Sequence, residues 1–300
     1  MSGLERELSE RFGARLRANY RLAELTSFQI GGPADRFLLV EDAAELAAAM
    51  ALADRHSVPC FCLGSGTNLL VSDRGIRGLV LKLGRGFSRI EFNGLEVRAG
   101  AAAQFADLAE LTVQHGLAGL EFGEGIPGSV GGGLVMNAGA FGGEMARVVV
   151  AVHGVEASGE SRSLSPDEVG FAYRRTALPA RFVIAAVDFR LAAGEPSSLR
   201  ARVSEIHAKR VSRQPRNAPN AGSIFKNPPG RFAGRLLEAA GLKGERMGRA
   251  AFSDQHANFI VNLGGASAGE VRALIELARE RVQASAGVTL EPEVRLVGEW

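Results

Sequence analysis

Leu4, Leu8, Phe12 and Leu16 recur every fourth residue among charged neighbours, a spacing that predicts an amphipathic helix within 1–20. An apolar run at 37–40 reads as a strand. Asp42 with Glu45 makes a capping box that opens an alanine-rich helix ending near His56. After Pro59, strands are expected at 60–63 and 79–83, with the loop 64–68 between them. This β-α-β-β order is that of a small α+β domain, 1–84.

A second domain, 85–195, opens on a hairpin of 89–92 and 95–99 around the turn Asn93-Gly94. A helix over 103–115 is stopped by Gly116. Strands follow at 148–155 and 182–191, and between them Ser165 and Glu168 form a capping box with Pro166 at the first helical position. The third domain, 196–300, begins with a helix carrying Leu199, Val203, Ile206 and Val211 and ending by Pro215. A short helix closed by Gly241, a strand at 258–262, a helix opened by Ser267 and Glu270, and a strand at 288–297 complete it. The fold class is α+β, with no internal repeat and no low-complexity linker.

Composition narrows the function. A hydrophobic content of 46% in 300 residues is ample for a buried core. A net charge of +2 leaves no broad basic surface for nucleic acid. Apolar runs fall short of the roughly 18 residues a span needs, so no membrane insertion is expected. The N-terminal helix is not a signal peptide. Cys60 and Cys62 fit neither a zinc pair nor a C-x-x-C redox motif, and the scattered His56, His115, His153, His207 and His256 give no metal-ligand spacing. A reducing cytoplasm and a monomer are the expectations, with no metal.

Two glycine-rich loops suggest anion binding. Gly64-Ser65-Gly66-Thr67-Asn68 follows an expected strand, and its backbone N–H groups can approach an anion closely. It is no Walker A loop, since no Gly-Lys-Ser/Thr follows, and it lacks the third glycine of a Rossmann fingerprint. In 123–143, nine of 21 residues are glycine. There Gly123-Glu124-Gly125-Ile126-Pro127-Gly128 satisfies G-x-G-x-x-G, but Pro127 and the lack of a preceding strand make that match accidental. A third loop, P-N-A-G-S-I-F-K-N-P over 219–228, is stiffened by proline at both ends and sets Ser223, Lys226 and Asn227 side by side.

These segments carry a resemblance. L-G-S-G-T-N-L (63–69) and G-I-P-G-S-V-G-G-G-L-V-M-N-A-G-A-F-G (125–142) resemble the two FAD-binding segments of flavoproteins related to vanillyl-alcohol oxidase. With T-S-F-Q-I-G-G-P-A (26–34), Tyr173-Arg174, N-A-G-S-I-F-K-N-P (220–228) and L-E-P-E-V-R (290–295), the chain is similar, in order and over about 15–298, to the UDP-N-acetylenolpyruvoylglucosamine reductase family. The resemblance implies a two-part FAD-binding module, 1–84 and 85–195, and an α+β substrate-binding domain, 196–300. It implies that NADPH drives reduction of the enolpyruvyl ether of UDP-N-acetylglucosamine to UDP-N-acetylmuramate, in peptidoglycan precursor synthesis. Related oxidases link flavin through His or Cys near these loops; none lies in 64–70 or 123–143, so FAD is expected to be non-covalent.

Residue by residue, the resemblance implies that Gly64, Ser65, Gly66, Thr67, Asn68 and Leu69 bind FAD, with Ile126, Gly128, Ser129, Gly131, Asn137 and Gly139 from the second loop. Ser223 is then the proton donor, helped by Lys226 or by water. Arg174 and Glu293 polarise the substrate carboxylate, and Tyr173, Lys226 and Asn227 contact the substrate. On residue chemistry alone Arg175 is as good a candidate as Arg174, and only the Tyr-Arg order selects between them. Thr176 stands where the family's motif usually has serine, and the length is that of a shorter subgroup without a closing loop. An FAD-linked oxidase and a non-catalytic flavin- or sugar-nucleotide-binding protein are the competing readings. Neither explains Arg174, Ser223 and Glu293 together.

Overall fold

The computed structural model describes residues 3–215 and 218–300, which form two compact units interleaved along the chain: the described residues up to 18, with 36–65 and 78–210, in the first; 19–35, 66–77 and the described residues from 211 on in the second. Segments 19–35 and 66–77 thus group with the C-terminal stretch.

In the first unit the helix Gly3–Phe12 buries Leu4, Leu8 and Phe12 as its spacing requires, and stops one turn earlier than expected. Gly13 takes φ +54°, which ends the helix, and Leu16 begins the strand Leu16–Arg21. Asp42 caps the helix Ala43–Arg55 by accepting from Glu45 N at 2.8 Å, but Glu45 reaches back to Glu41 N. The other half of the capping box is thereby displaced by one residue. Cys60–Leu63 pairs parallel with 79–82. Five antiparallel strands form the second sheet of this unit, in the order Ser161–Leu164, Val149–Val155, Val183–Arg190, Glu96–Gly100, Ile90–Asn93. Its hairpin turns at Gly94-Leu95, not Asn93-Gly94, because Asn93 pairs with Glu96; Gly94 at φ +59° supplies the positive φ that a type II′ turn needs first.

Burial pushes the Cys60 thiol up to about 12 and the Cys62 thiol to about 11. Both are therefore thiols, not thiolates, near neutral pH. A thiol reagent at pH 8 is expected to label the native protein slowly and to titrate both cysteines once the chain is unfolded. Rapid labelling of the native protein would show that this strand is open to solvent.

In the second unit, Arg246–Met247, Ala250–Phe252 and Ile260–Asn262 form an antiparallel sheet. The helix Ala268–Ala286 buries Val271, Leu274, Ile275, Ala278 and Val282 in this unit's core, with Phe28, Phe225 and Phe252. Ser267 and Glu270 complete a full capping box, as their spacing predicts. The expected strand 288–297 shrinks to Arg295–Val297, which pairs parallel with Leu69–Val71. Pro292, which has no N–H to donate, lies in the irregular part. Among the described residues no helix is long and apolar enough to cross a membrane, and no cluster of three His, Cys, Asp or Glu could hold a metal ion.

Candidate active site

In the first unit the second glycine loop meets both Gly64 of the first loop and the Tyr173-Arg174 turn. A Cβ on Gly64 would lie 3.1 Å from Ser129 Oγ, and one on Gly131 would lie 2.9 Å from Ala101 Cβ. Glycine at these positions therefore lets two backbone segments approach closely. Ser129 caps the short helix Val130–Val135 by accepting from Gly132 N at 3.3 Å, and Lys82 Nζ donates to Gly64 O. Gln104 Nε2 donates to Ser65 Oγ at 3.5 Å. Ile126 is half-buried; Gly128 is at φ +123°.

Asn137 is 2% exposed, and its amide is committed to the chain: Nδ2 donates to Ala172 O at 3.1 Å and Oδ1 accepts from Ala146 N at 3.0 Å. Its side chain thus shapes the loop and joins it to the residue before Tyr173. Arg174 has a left-handed backbone (φ +55°), donates to Gly139 O at 2.6 Å, and stacks on Tyr173 with 5.1 Å from Cζ to the ring centroid. Such a conformation is costly for a non-glycine residue and is kept where the surroundings dictate it. Arg175 is exposed and pairs with Ala172 through its backbone.

Sequence reasoning missed a cation here. Arg210 is 9% exposed, its Cδ would meet a Cβ on Gly125 at 2.9 Å, and its guanidinium lies 5.4 Å from the Phe141 ring centroid. Burial holds its pKa below the usual arginine value, Glu124 opposes that, and Arg174 adds to it. Its Nε has no partner among the described residues. A buried cation with an orphaned donor beside a glycine loop fits an anionic group of a bound cofactor. No local sequence signal marks Arg210, whose helix Pro196–Arg213 carries many charges.

In the second unit, Gly66 at φ +68° packs so closely on Leu25 that a Cβ would lie 2.1 Å from Leu25 O. Ser27 then joins two loops: its N donates to Gly66 O at 3.1 Å, and its Oγ donates to Asn220 O at 2.7 Å. Asn220 Oδ1 in turn accepts from Gly222 N at 3.0 Å, shaping the turn just before Ser223. Thr67 and Leu69 are half-buried, and Leu69 opens the strand Leu69–Val71. Asn68 Nδ2 donates to Glu293 O at 3.1 Å, and Arg295 N donates to Asn68 O at 3.0 Å. Ser223 and Glu293 sit on adjacent segments, because Glu293 N donates to Ile224 O at 2.7 Å. Among the described residues no group hydrogen-bonds the half-buried Ser223 hydroxyl. Lys226 pairs with Glu291, and Asn227 Oδ1 accepts from Ala233 N at 3.0 Å. Serine 27 belongs to a segment whose resemblance was visible, but its linking role was not.

Comparison with known proteins gives this arrangement its context. Residues 34–165 match a family model described as an FAD binding domain. Residues 214–297 match one described as the C-terminal domain of UDP-N-acetylenolpyruvoylglucosamine reductase. UDP-N-acetylenolpyruvoylglucosamine reductase 2 of Symbiobacterium thermophilum is 47% identical over 285 residues, 95% of this chain and 92% of its own length. The reductase of Rubrobacter xylanophilus is 46% identical over 280 residues, 93% and 94% of the two lengths. The crystal structure of UDP-N-acetylenolpyruvylglucosamine reductase from Thermus caldophilus superposes with a TM-score of 0.83 at 37% identity, covering 94% of this chain and 99% of that one.

Proposed function

Because this chain belongs to the UDP-N-acetylenolpyruvoylglucosamine reductase family, we propose that it reduces the enolpyruvyl ether of UDP-N-acetylglucosamine to UDP-N-acetylmuramate with NADPH, as a cytoplasmic monomer. One observation carries this reading: the Ser223 segment and Glu293 are joined through Ile224, and each is tied to the first glycine loop, through Ser27 and Asn68. A proton donor, a carboxylate and a cofactor loop are thereby built into one hydrogen-bonded unit. The residues also fit FAD, with glycines at the close approaches and Arg210 beside the second loop. The domain plan 1–84, 85–195 and 196–300 assigns the first two to FAD and the third to the UDP-sugar.

When bound, FAD supplies the hydride and is recharged by NADPH. Reduction of the enolpyruvyl group adds hydride at the terminal vinyl carbon and a proton at the carbon bearing the ether oxygen. Charge meanwhile gathers on the substrate carboxylate. Arg174 and Glu293 polarise that carboxylate; such aimed donors act most strongly where charge develops. Glu293 can donate to that carboxylate only in its carboxylic acid form. Ser223 Oγ delivers the proton as general acid. Tyr173, Lys226 and Asn227 orient the substrate.

Purified protein should consume NADPH only with the enolpyruvyl substrate, and the product should be heavier by two hydrogens; reduction of oxygen alone would favour an oxidase. Denaturation should release all FAD into the supernatant. Yellow colour retained on the precipitated chain would mean a covalent link.

A further inference from the structure

Resting on that reading, we propose that Asn258 is a positioning residue that sets the register of Ser223 against Glu293. The segment carrying Ser223, which bends at Gly222 and again at Ile224, has neighbours on two sides. On one side Glu293 N donates to Ile224 O at 2.7 Å and Lys226 N donates to Glu291 O at 2.9 Å, so the Glu293 segment is paired to it backbone to backbone. On the other side Ile224 N donates to Asn258 O at 2.9 Å. Beyond that bond the main chain no longer supplies a partner, because the strand there begins only at Ile260. The side chain of Asn258 takes over. Its Oδ1 accepts from Phe225 N at 2.9 Å and its Nδ2 donates to Phe225 O at 2.8 Å.

One amide therefore imitates a neighbouring strand and satisfies both backbone groups of Phe225. Asn258 is 4% exposed and Phe225 is 1% exposed, so water cannot replace these bonds. Asn258 is itself anchored, since its N donates to His256 Nδ1 at 3.1 Å, and burial lowers the His256 pKa so that this nitrogen stays a neutral acceptor. The geometry matters because Ser223 immediately precedes Ile224, whose N and O carry the bonds to Asn258 and to Glu293, so a shift of 223–226 against 291–294 would move the Ser223 hydroxyl relative to Glu293. Gly222 is at φ +73° with open space where a Cβ would stand, and the amide at 258 fixes Phe225 from the side opposite the Glu293 segment.

Two holoenzyme variants test this. Asn258→Asp keeps the acceptor for Phe225 N–H and replaces the donor to Phe225 C=O; Asn258→Leu removes both. FAD content, melting temperature and flavin reduction by NADPH are measured beside reoxidation of reduced flavin by the enolpyruvyl substrate, in water and in deuterium oxide. The expected result is near-normal flavin reduction with reoxidation slowed about 100-fold, the scale of a roughly 1 Å misplacement. The solvent isotope effect on reoxidation should grow as proton delivery becomes the slow part. Parallel loss of both half-reactions with an unchanged isotope effect would mean a smaller active fraction only, and would overturn the proposal. So would reoxidation at the wild-type rate, or loss of soluble FAD-bearing protein in both variants, which would assign Asn258 to the fold. If the wild-type enzyme itself is not reoxidised by the enolpyruvyl substrate, the function proposed above fails, and that outcome is separate from these.

Discussion

Ser223→Ala is expected to leave flavin reduction by NADPH near the wild-type rate and to slow reoxidation by the enolpyruvyl substrate by about 10²–10⁴-fold, the range of a lost general acid. The split follows from where the hydroxyl sits. Its segment is held by backbone bonds of Ile224 and Lys226 and by the Asn220 turn, none of which uses Ser223 Oγ. Alanine therefore deletes one oxygen from an unchanged backbone. Stopped-flow absorbance of the flavin separates the two half-reactions. Equal losses in both would make Ser223 a structural residue and would leave the proton donor to be found elsewhere.

Glu293→Gln and Arg174→Lys should each cut turnover at least a hundredfold, because groups aimed at developing charge are worth about 3–4 kcal/mol. Their structural costs differ. Glutamine keeps the backbone bonds from Glu293 N to Ile224 O and from Asn68 Nδ2 to Glu293 O, and melting temperature and FAD content are measured beside turnover. Arg174 donates to Gly139 O and stacks on Tyr173. Lysine keeps the charge but not the planar fork, so a modest drop in melting temperature is expected with the catalytic loss. Arg175→Ala is the control: an exposed residue paired through its backbone should lose little. If Arg175→Ala proves more damaging than Arg174→Lys, the arginine role belongs to the neighbour. If Glu293→Gln turns over normally, its carboxyl does not address the substrate.

Much of the fold was legible because its signals are local. Asp42, Ser165 and Ser267 announce helix starts, Gly116 and Gly241 announce stops, and the apolar spacing of Leu4, Leu8 and Phe12 marks a buried face. Each is a choice made within a few residues, where backbone hydrogen bonding and φ preferences decide the outcome. The glycine loops and the Pro219–Pro228 segment were visible for the same reason: chain stiffness and missing Cβ atoms are properties of the residues themselves.

What the sequence left open depended on partners far along the chain. The hairpin turns one residue later than Asn93-Gly94 because cross-strand pairing of Asn93 with Glu96 overrides the local turn preference. The C-terminal strand is only Arg295–Val297, because its ladder exists only where Leu69–Val71 lies beside it. Asn68, expected at the cofactor from its loop, sends its amide to Glu293, 225 residues away, and Ser27 reaches Asn220 across 193. Arg210 and Asn258 carry no mark in their own neighbourhoods, since a buried polar group is recognised by what it meets and not by what precedes it. The sequence by itself determined the elements and the chemical groups available; only tertiary packing decided which of them meet, because a hydrogen bond fixes two groups in space and no periodicity along one chain records the second.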